Sequence, residues 1–280
     1  MPGLRRGRKA RAGHGRRTLA RDVIGIAWGT ATDRGTVRAV NEDALLAEPP
    51  LFVVADGMGG HAAGDVASQL AIEGLSELIG DGPIGVQDVI DALTAANAAI
   101  VAHASQYTDQ AGMGTTVTGL ALVIAGGSEH WMVFNVGDSR VYRLADDEFL
   151  QLTVDHSEAE ELVTAGRLTR EQVYTYRRRN VVTRSLGIEP PEVVDSWIFP
   201  PVTGERFLVC SDGLTGEVRQ EDIRACLESV PDPQAAADAL VRAAIDAGGT
   251  DNVTVLVVDG LNDDSGEVNL DTAPRRFDAS

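Results

Sequence analysis

Four aspartates lie at the ends of short apolar segments, where a strand can hold a carboxylate rigidly at a cleft. These four residues are Asp56, Asp138, Asp212 and Asp251. Asp56 follows the apolar segment 51–55, and Asp212 follows the similar segment 207–211, 156 residues further along the chain. Each of the two is followed by glycine, which lets the backbone turn sharply and can present a carbonyl oxygen beside the carboxylate.

Carboxylates gathered in this way repel one another unless cations lie between them. The group offers oxygen donors and contains no histidine or cysteine, which favours Mg²⁺ or Mn²⁺ over zinc. The alternative is that each Asp-Gly pair marks only a turn, and for any single segment this is the better interpretation. Four such segments together with Arg38 and the segment Asn41-Glu42-Asp43 favour a cation site.

The elements that must hold these side chains follow from the hydrophobic pattern. Helical spacing covers residues 62–79, 86–106 and 233–247, and Gly248-Gly249 ends the last of these helices. Strands are predicted for six apolar segments: 52–55, 117–124, 131–136, 140–144, 207–210 and 253–258. Several are apolar on both faces, which suits a sheet between two other layers. Because the helices lie between groups of strands, the pattern predicts an α+β fold.

Charge is unevenly distributed along the 280 residues, which contain 42 acidic and 24 basic side chains. Eight of the basic residues lie in residues 1–21, which hold no acid, so this segment is predicted to be a disordered basic tail. Residues 22–260 form the predicted folded domain, and residues 261–280 a polar tail. The acidic body is a poor partner for nucleic acid or an anionic membrane, because phosphates would repel it.

The cellular compartment is suggested by what the sequence lacks. Cys210 and Cys226 are too few for a disulfide framework and have no C-x-x-C spacing. No apolar segment approaches the ~20 residues that a membrane span needs, and no apolar signal core follows the arginine-rich start. We therefore expect a soluble, cytoplasmic protein with no membrane span in this chain.

An ordered series of motifs resembles that of the bacterial protein phosphatase 2C-like, metal-dependent protein phosphatases. The motifs are Arg38-Ala39-Val40-Asn41-Glu42-Asp43, Val54-Ala55-Asp56-Gly57-Met58-Gly59-Gly60-His61, Met113-Gly114-Thr115-Thr116, Val136-Gly137-Asp138-Ser139-Arg140, Leu152-Thr153-Val154-Asp155-His156-Ser157, Ser211-Asp212-Gly213-Leu214-Thr215 and Gly249-Thr250-Asp251-Asn252-Val253-Thr254. Each motif alone is moderately specific, whereas the ordered set covers residues 22–260 and is highly specific.

This resemblance implies a β-sandwich of two antiparallel sheets flanked by pairs of helices, in four layers, with two or three Mn²⁺ or Mg²⁺ ions at one end. The implied roles are metal binding by Glu42, Asp56, Gly57, Asp138, Asp212 and Asp251, and catalysis by Arg38 and Asp43. Asp56 would bridge two metals, and Asp138 with Asp212 matches a third metal position. Arg38 would grip the phosphate, and Asp43 would orient metal-bound water.

The implied reaction is hydrolysis of phosphoserine and phosphothreonine on proteins by a metal-bridging hydroxide, without a covalent intermediate. The residues after Cys210 are consistent with a mechanism that has no covalent intermediate, because they do not form the C-x₅-R loop of cysteine phosphatases. The source of the leaving-group proton stays open. Eukaryotic relatives carry a histidine where this chain has Met58, so either His61 or metal-bound water supplies the proton, and a structural role for His61 is favoured.

Residues 157–185 are predicted to form a variable flap beside the site. Six arginines lie there: Arg167, Arg170, Arg177, Arg178, Arg179 and Arg184. They either recruit phosphorylated or acidic substrate segments or form a solvated face that offsets nearby acids, and the second interpretation is slightly favoured. His156 is expected to be structural. The flap lacks the His-Pro of many bacterial relatives near Tyr176-Arg177, so substrate specificity does not transfer.

Three other functions compete with a general protein phosphatase that opposes bacterial Ser/Thr kinases. An inactive regulator of the same fold is disfavoured because all three aspartates expected to bind the metals directly are present. A stress-regulatory phosphatase acting on an anti-sigma-factor antagonist is disfavoured by Arg38 and Asn41-Glu42-Asp43. Residues 1–21 could instead bind nucleic acid or a membrane surface. We expect a monomer whose partners are phosphoproteins, including Ser/Thr kinases and their targets.

Overall fold

The computed structural model describes residues 15–17, 25–59, 63–80, 82–191 and 193–261. The strands are β1 (Gly15–Arg17), β2 (Gly25–Asp33), β3 (Asp43–Glu48), β4 (Leu51–Met58), β5 (Gly114–Thr115), β6 (Val117–Ala125), β7 (Ser128–Val136), β8 (Arg140–Ala145), β9 (Glu148–Gln151), β10 (Asp195–Phe199), β11 (Arg206–Cys210) and β12 (Val253–Leu261). The helices are α1 (Gly64–Ser76), α2 (Val86–Gln106), α3 (Glu158–Thr164), α4 (Arg170–Val173), α5 (Asp212–Thr215), α6 (Gln220–Ser229) and α7 (Pro233–Ala247).

The strands form two sheets in which every named strand pairing is antiparallel. The first sheet has the order β1-β2-β12-β11-β8-β9. The second has the order β10-β7-β6-β4-β3, and β5 pairs with the end of β4. The predicted α+β class with two antiparallel sheets is confirmed.

Alternation along the central strands explains why they are apolar on both faces. In β4, Phe52 and Val54 pack in the cluster between the two sheets, together with Phe207 of β11. Their neighbours Leu51 and Val53 point the other way and pack in the cluster beneath α1 and α2. The same alternation in β11 and β12 builds a third cluster against α6 and α7. The result is four layers, helix pair, sheet, sheet and helix pair, so the central strands are buried on both sides.

The helix ends follow local sequence signals. Asp232 precedes α7 and its side chain accepts a hydrogen bond from the Ala235 amide at 2.8 Å, while Pro233 begins the helix. Gly248 and Gly249 end α7 with positive φ angles of 147° and 54°, conformations that L side chains rarely adopt. The predicted helices 86–106 and 233–247 are confirmed as α2 and α7, and 62–79 is confirmed in its central part as α1.

All six predicted strands are present and extend by up to three residues at their ends. Two strands that frame the acidic centre, β2 and β3, were not predicted. Small and polar residues interrupt both, and their pairing with β12 and β4 defines them. The strand Gly15–Arg17 lies within the segment predicted to be disordered, and β12 ends at Leu261, the first residue of the predicted polar tail. The rest of both predicted tails, residues 1–14, 18–21 and 262–280, lies outside the described residues. Within the described ranges, no helix combines the length and apolarity that crossing a membrane requires.

Candidate active site

The strand register brings the acidic side chains to one end of the sandwich. Asp43 begins β3 and lies directly opposite Asp56 of β4. Asp212 follows β11 at the start of α5, and Asp251 lies two residues before β12. Asp138 occupies the connection between β7 and β8. Residues that are up to 208 positions apart in the sequence therefore share one acidic centre.

The prediction that the strand ends at Asp56-Gly57 is wrong, because β4 continues to Met58 and pairs there with β5. Glycine is required at position 57 for close approach and not for a turn. A Cβ on Gly57 would lie 2.1 Å from the carbonyl oxygen of Gly64. The Gly57 amide also donates to the carbonyl of Glu42 at 3.2 Å, which ties Glu42 to the same strand.

Gly213 meets the same restriction on the other side of the centre. A Cβ there would lie 1.9 Å from the carbonyl oxygen of Asn252. The two Asp-Gly pairs therefore work alike, although neither is a simple turn: each glycine lets a second backbone segment pass close to the aspartate before it.

Burial and mutual repulsion raise the pKa values of the aspartates in the centre. Burial raises the pKa of Asp43 to about 7 and that of Asp138 to about 8, and the charge of Asp212 contributes to both. Burial raises the pKa of Asp56 well above its usual range, and Asp43 and Asp212 add to this by charge repulsion. Asp212, whose pKa is also raised by burial and by Asp251, lies close enough to Asp56 to share a hydrogen bond. In a site without cations these groups resist simultaneous ionisation.

One carboxylate oxygen of Asp43 accepts a hydrogen bond, and the other has no hydrogen-bond partner. Its Oδ2 accepts a hydrogen bond from Ser211 Oγ at 2.8 Å, and Ser211 Oγ in turn accepts from the Thr254 amide at 3.0 Å. Its Oδ1 is buried and has no hydrogen-bond partner. A buried carboxylate oxygen without a partner is costly, so this atom calls for a cation or an ordered water.

Arg38 lies at the mouth of the centre. Its Nη2 donates to Asp251 Oδ2 at 2.7 Å, and its side chain stays 49% exposed. The hydrogen bond to Asp251 raises the pKa of Arg38 further, so the guanidinium remains charged. The side chain is thus anchored at the acidic centre and still accessible to an anion from solvent.

Asn252 is a buried positioning residue that the sequence interpretation overlooked, although it lies within a quoted motif. Its Oδ1 accepts from the Glu42 amide at 2.8 Å. Its Nδ2 donates to the carbonyls of Arg34 and Val40 at 2.9 and 3.0 Å. Asn252 bonds three backbone groups of a segment more than 200 residues away in the sequence. The sequence alone does not show that these two segments are neighbours, so the role of Asn252 could be recognised only in the structure.

His156 joins the Asp138 connection to the flap, in agreement with a structural role. Its Nδ1 accepts from the Gly137 amide at 3.1 Å, so a neutral ring carries its hydrogen on Nε2, which faces Asp195 Oδ2 at 3.1 Å. The His156 carbonyl accepts from the Thr183 amide at 2.8 Å. Arg184 donates to Asp195 Oδ1 at 3.1 Å and completes the link.

Two flap arginines form ion pairs with flap carboxylates. Arg170 forms an ion pair with Glu160, and Arg178 forms one with Glu158 at 2.6 Å. These pairs agree with the interpretation of a solvated face that offsets nearby acids for Arg170 and Arg178. Cys210 is fully buried in β11, and burial raises the pKa of its thiol to about 12, which makes it unsuitable as a nucleophile.

Whether the centre fits divalent cations can be judged from its donors. Among the described residues, no group of three or more Asp, Glu, His or Cys side chains is arranged to hold a metal ion as it stands. The donors nevertheless fit the group: they are hard oxygen ligands with raised pKa values, and Asp43 offers a buried oxygen without a partner. A divalent cation among these side chains would reduce the repulsion between the aspartates and would give Asp43 Oδ1 a partner.

A profile of the protein phosphatase 2C family matches residues 34–245. The chain belongs to this family. The serine/threonine phosphatase stp of Listeria innocua is 37% identical over 246 residues, which cover 81% of this chain and 93% of that protein. The serine/threonine protein phosphatase PstP of Mycobacterium tuberculosis is 39% identical over 254 residues, 89% of this chain. The alignment covers 48% of PstP, so this chain spans about half the length of that relative.

Solved structures of the protein phosphatase 2C family agree with the fold. The crystal structure of the Mycobacterium tuberculosis serine/threonine phosphatase PstP has a TM-score of 0.79 and 39% identity, covering 85% of this chain and 99% of that one. The catalytic domain of PstP in complex with two manganese ions has a TM-score of 0.76 and 38% identity, with the same coverage.

The described residues therefore bring together seven of the predicted site residues and place the eighth, Arg38, beside them. The seven are Glu42, Asp43, Asp56, Gly57, Asp138, Asp212 and Asp251. His61, the candidate proton donor, lies outside the described residues.

Proposed function

We propose that this chain hydrolyses phosphoserine and phosphothreonine on proteins, using two or three Mn²⁺ or Mg²⁺ ions held by its acidic centre. The observation that carries the proposal is the buried group of mutually repelling aspartates with Arg38 bonded to its edge. The names of the relatives support the substrate class. Opposition to bacterial Ser/Thr kinases and a monomeric state are part of the same proposal.

The cations would be held by Asp56, Asp212 and Asp251 on one side and by Glu42 and the Gly57 carbonyl on the other, with Asp138 near Asp212. When bound, such ions neutralise phosphate charge and lower the pKa of water towards neutrality. These residues supply oxygen donors on a rigid mount, because β4, β11 and β12 are buried on both faces.

The remaining steps belong to the side chains around the centre. Arg38 binds two oxygens of the phosphoryl group through its planar guanidinium, which its bond to Asp251 keeps in place. Asp43, fixed by Ser211, presents its free Oδ1 to a water molecule and so orients it. The oxygen of a water molecule forms a bond to phosphorus while the bond from phosphorus to the seryl or threonyl oxygen breaks. The products are inorganic phosphate and the serine or threonine side chain, whose leaving oxygen is protonated to a hydroxyl group.

Phosphate release from a phosphothreonine peptide tests the proposal. We expect release with Mn²⁺, loss of release with excess EDTA, and a loss of at least about 100-fold in Asp251→Asn, the scale of removing one catalytic electrostatic group. Glu129→Gln, on β7, is the matched carboxylate control and should retain wild-type turnover. A folded protein that releases no phosphate with any divalent metal would overturn the proposal and favour an inactive phosphoprotein-binding regulator.

A further inference from the structure

Asp65 is a second carboxylate with a buried oxygen that nothing in the described structure satisfies. Only two side chains among the described residues carry a buried polar atom without a hydrogen-bond partner, and their atoms are Asp43 Oδ1 and Asp65 Oδ1. The first belongs to the acidic centre. Leaving a buried carboxylate oxygen without a hydrogen-bond partner costs more free energy than leaving a neutral oxygen unpaired. Asp65 Oδ1 therefore needs a partner that can satisfy it.

Asp65 lies in the first turn of α1, which packs on β3 and β4, the strands that carry Asp43 and Asp56. A Cβ on Gly64 would lie 2.7 Å from the carbonyl carbon of Gly57 and 2.8 Å from its oxygen. Ser68, one turn further along α1, donates to the Glu42 carbonyl at 2.6 Å. The start of α1 is thus fastened to both Gly57 and Glu42, and Asp65 has little freedom to move away.

The negative charge of Asp65 acts on Glu42 by electrostatic repulsion. Burial is the main cause that raises the pKa of Glu42, and the negative charge of Asp65 adds to it, while a hydrogen bond with the Gly64 backbone lowers it. Asp65 and Glu42 therefore lie close enough to repel one another at the side of the centre where the Gly57 carbonyl lies. The first turn of a helix favours an anion, but that interaction does not supply a partner for a buried Oδ1.

We propose that Asp65 is a further cation-binding residue of the centre, which acts on the side of Glu42 and the Gly57 carbonyl either by direct ligation or through a water molecule on the ion. The inference rests on the proposed function only in assuming that the centre binds divalent cations. A divalent cation is the partner that satisfies Asp65 Oδ1 and offsets the charge of Glu42 together.

The test is Mn²⁺ binding to the metal-free protein, measured by titration calorimetry without substrate. Asp65→Asn should bind Mn²⁺ at least about 10-fold more weakly at one site, the scale found for groups that support metal ligands. Glu73→Gln is the matched control, since Glu73 lies on the same helix with an exposed side chain, and it should bind Mn²⁺ as the wild type does. Wild-type Mn²⁺ affinity in Asp65→Asn would overturn the inference.

Stability of the metal-free variants gives an independent readout. Asp65 as a whole is half-buried, and only its Oδ1 lacks a partner. Removing this carboxylate should leave the melting temperature of metal-free Asp65→Asn unchanged or higher, while the increase caused by Mn²⁺ should shrink. Asp65→Ser provides a second variant with the same expectation. Unfolding of both metal-free variants would contradict the inference, because it would show a structural role. Phosphate release is measured separately: wild type that binds Mn²⁺ without releasing phosphate removes the proposed function and leaves the assignment of Asp65 intact.

Discussion

At the scale of single residues, one buried amide holds together the segment that carries Glu42 and the segment that carries Asp251. Asn252 bonds the backbone of Arg34, Val40 and Glu42, and it directly follows Asp251. The positions of Glu42 and Asp251 relative to each other therefore depend on a side chain that carries no charge. Such positioning residues are as necessary to a site as the groups that perform the chemistry.

We expect Asn252→Ala to destabilise the metal-free protein by about 2–4 kcal/mol, because three backbone groups lose the partner that the buried Asn252 side chain supplies. Urea unfolding followed by circular dichroism measures the change. Asn180→Ala, an exposed flap position, is the control and should change stability by less than about 0.5 kcal/mol. Equal stability of the two variants would show that the hydrogen bonds of Asn252 are not needed.

At the scale of elements, the flap is fastened to the sandwich at one end by His156. The ring and backbone of this residue connect the β7–β8 turn, the residues before Ser185 and the start of β10 through Gly137, Thr183 and Asp195. The segment between α3 and that anchor has one short helix, α4, and exposed arginines, and none of its described residues is buried. Local opening of the flap should therefore be limited mainly by this anchor.

Trypsin should cut the flap faster when the anchor is removed, because the flap offers Arg167, Arg177 and Arg179 as cleavage sites. We expect His156→Ala to accelerate cleavage roughly 5-fold or more, which corresponds to about 1 kcal/mol of lost anchoring. Mass spectrometry of timed digests identifies the sites. His130→Ala, on β7 and away from the flap, should digest at the wild-type rate; identical rates for both variants would contradict the anchor.

At the scale of the whole molecule, charge is segregated between the two halves of the sandwich. No lysine or arginine occurs between Arg38 and Arg140, so the sheet from β3 to β7 and its helices α1 and α2 carry no lysine or arginine. Both flanking arginines are ion-paired, Arg140 with Asp155 at 2.6 Å and Arg38 with Asp251 at 2.7 Å, and the Arg38 side chain is the more exposed of the two, at 49% against 26%. The folded molecule thus concentrates negative potential where cations would bind.

Burial of the aspartates, together with their mutual repulsion, predicts an unusual pH dependence for the metal-free protein. The pKa values of Asp43 and Asp138 rise to about 7 and about 8 in the folded state, above the ~3.9 of an unfolded chain. Between about pH 4 and pH 8 the folded state therefore holds protons that the unfolded state releases, and stability falls as pH rises.

Unfolding in EDTA should accordingly show at least about 1 kcal/mol more stability at pH 6 than at pH 8. Asp138→Asn should make this difference smaller, because one of the bound protons is no longer involved. Thermal and urea unfolding at both pH values measure the effect. Equal or greater stability of the wild type at pH 8 would show that burial and charge repulsion do not raise the pKa values of these aspartates in the folded state.

The sequence by itself determined the α+β class and identified the candidate residues of the acidic centre. The acidic residues, their apolar neighbours and Arg38 could be recognised because side-chain type and hydrophobic period are local properties. They indicated the cation site, the strands buried on both faces and the helices α2 and α7. The family motifs added the order of the site residues along the chain.

Only the tertiary structure decided how the centre is assembled. Asp43 with Ser211, and Arg38 with Asp251, meet across 168 and 213 positions of sequence. Their contacts depend on the register of β3, β4 and β12, which no local pattern contains. For the same reason, Gly57 looked like a turn in the sequence, while in the fold it is a strand residue against which α1 packs.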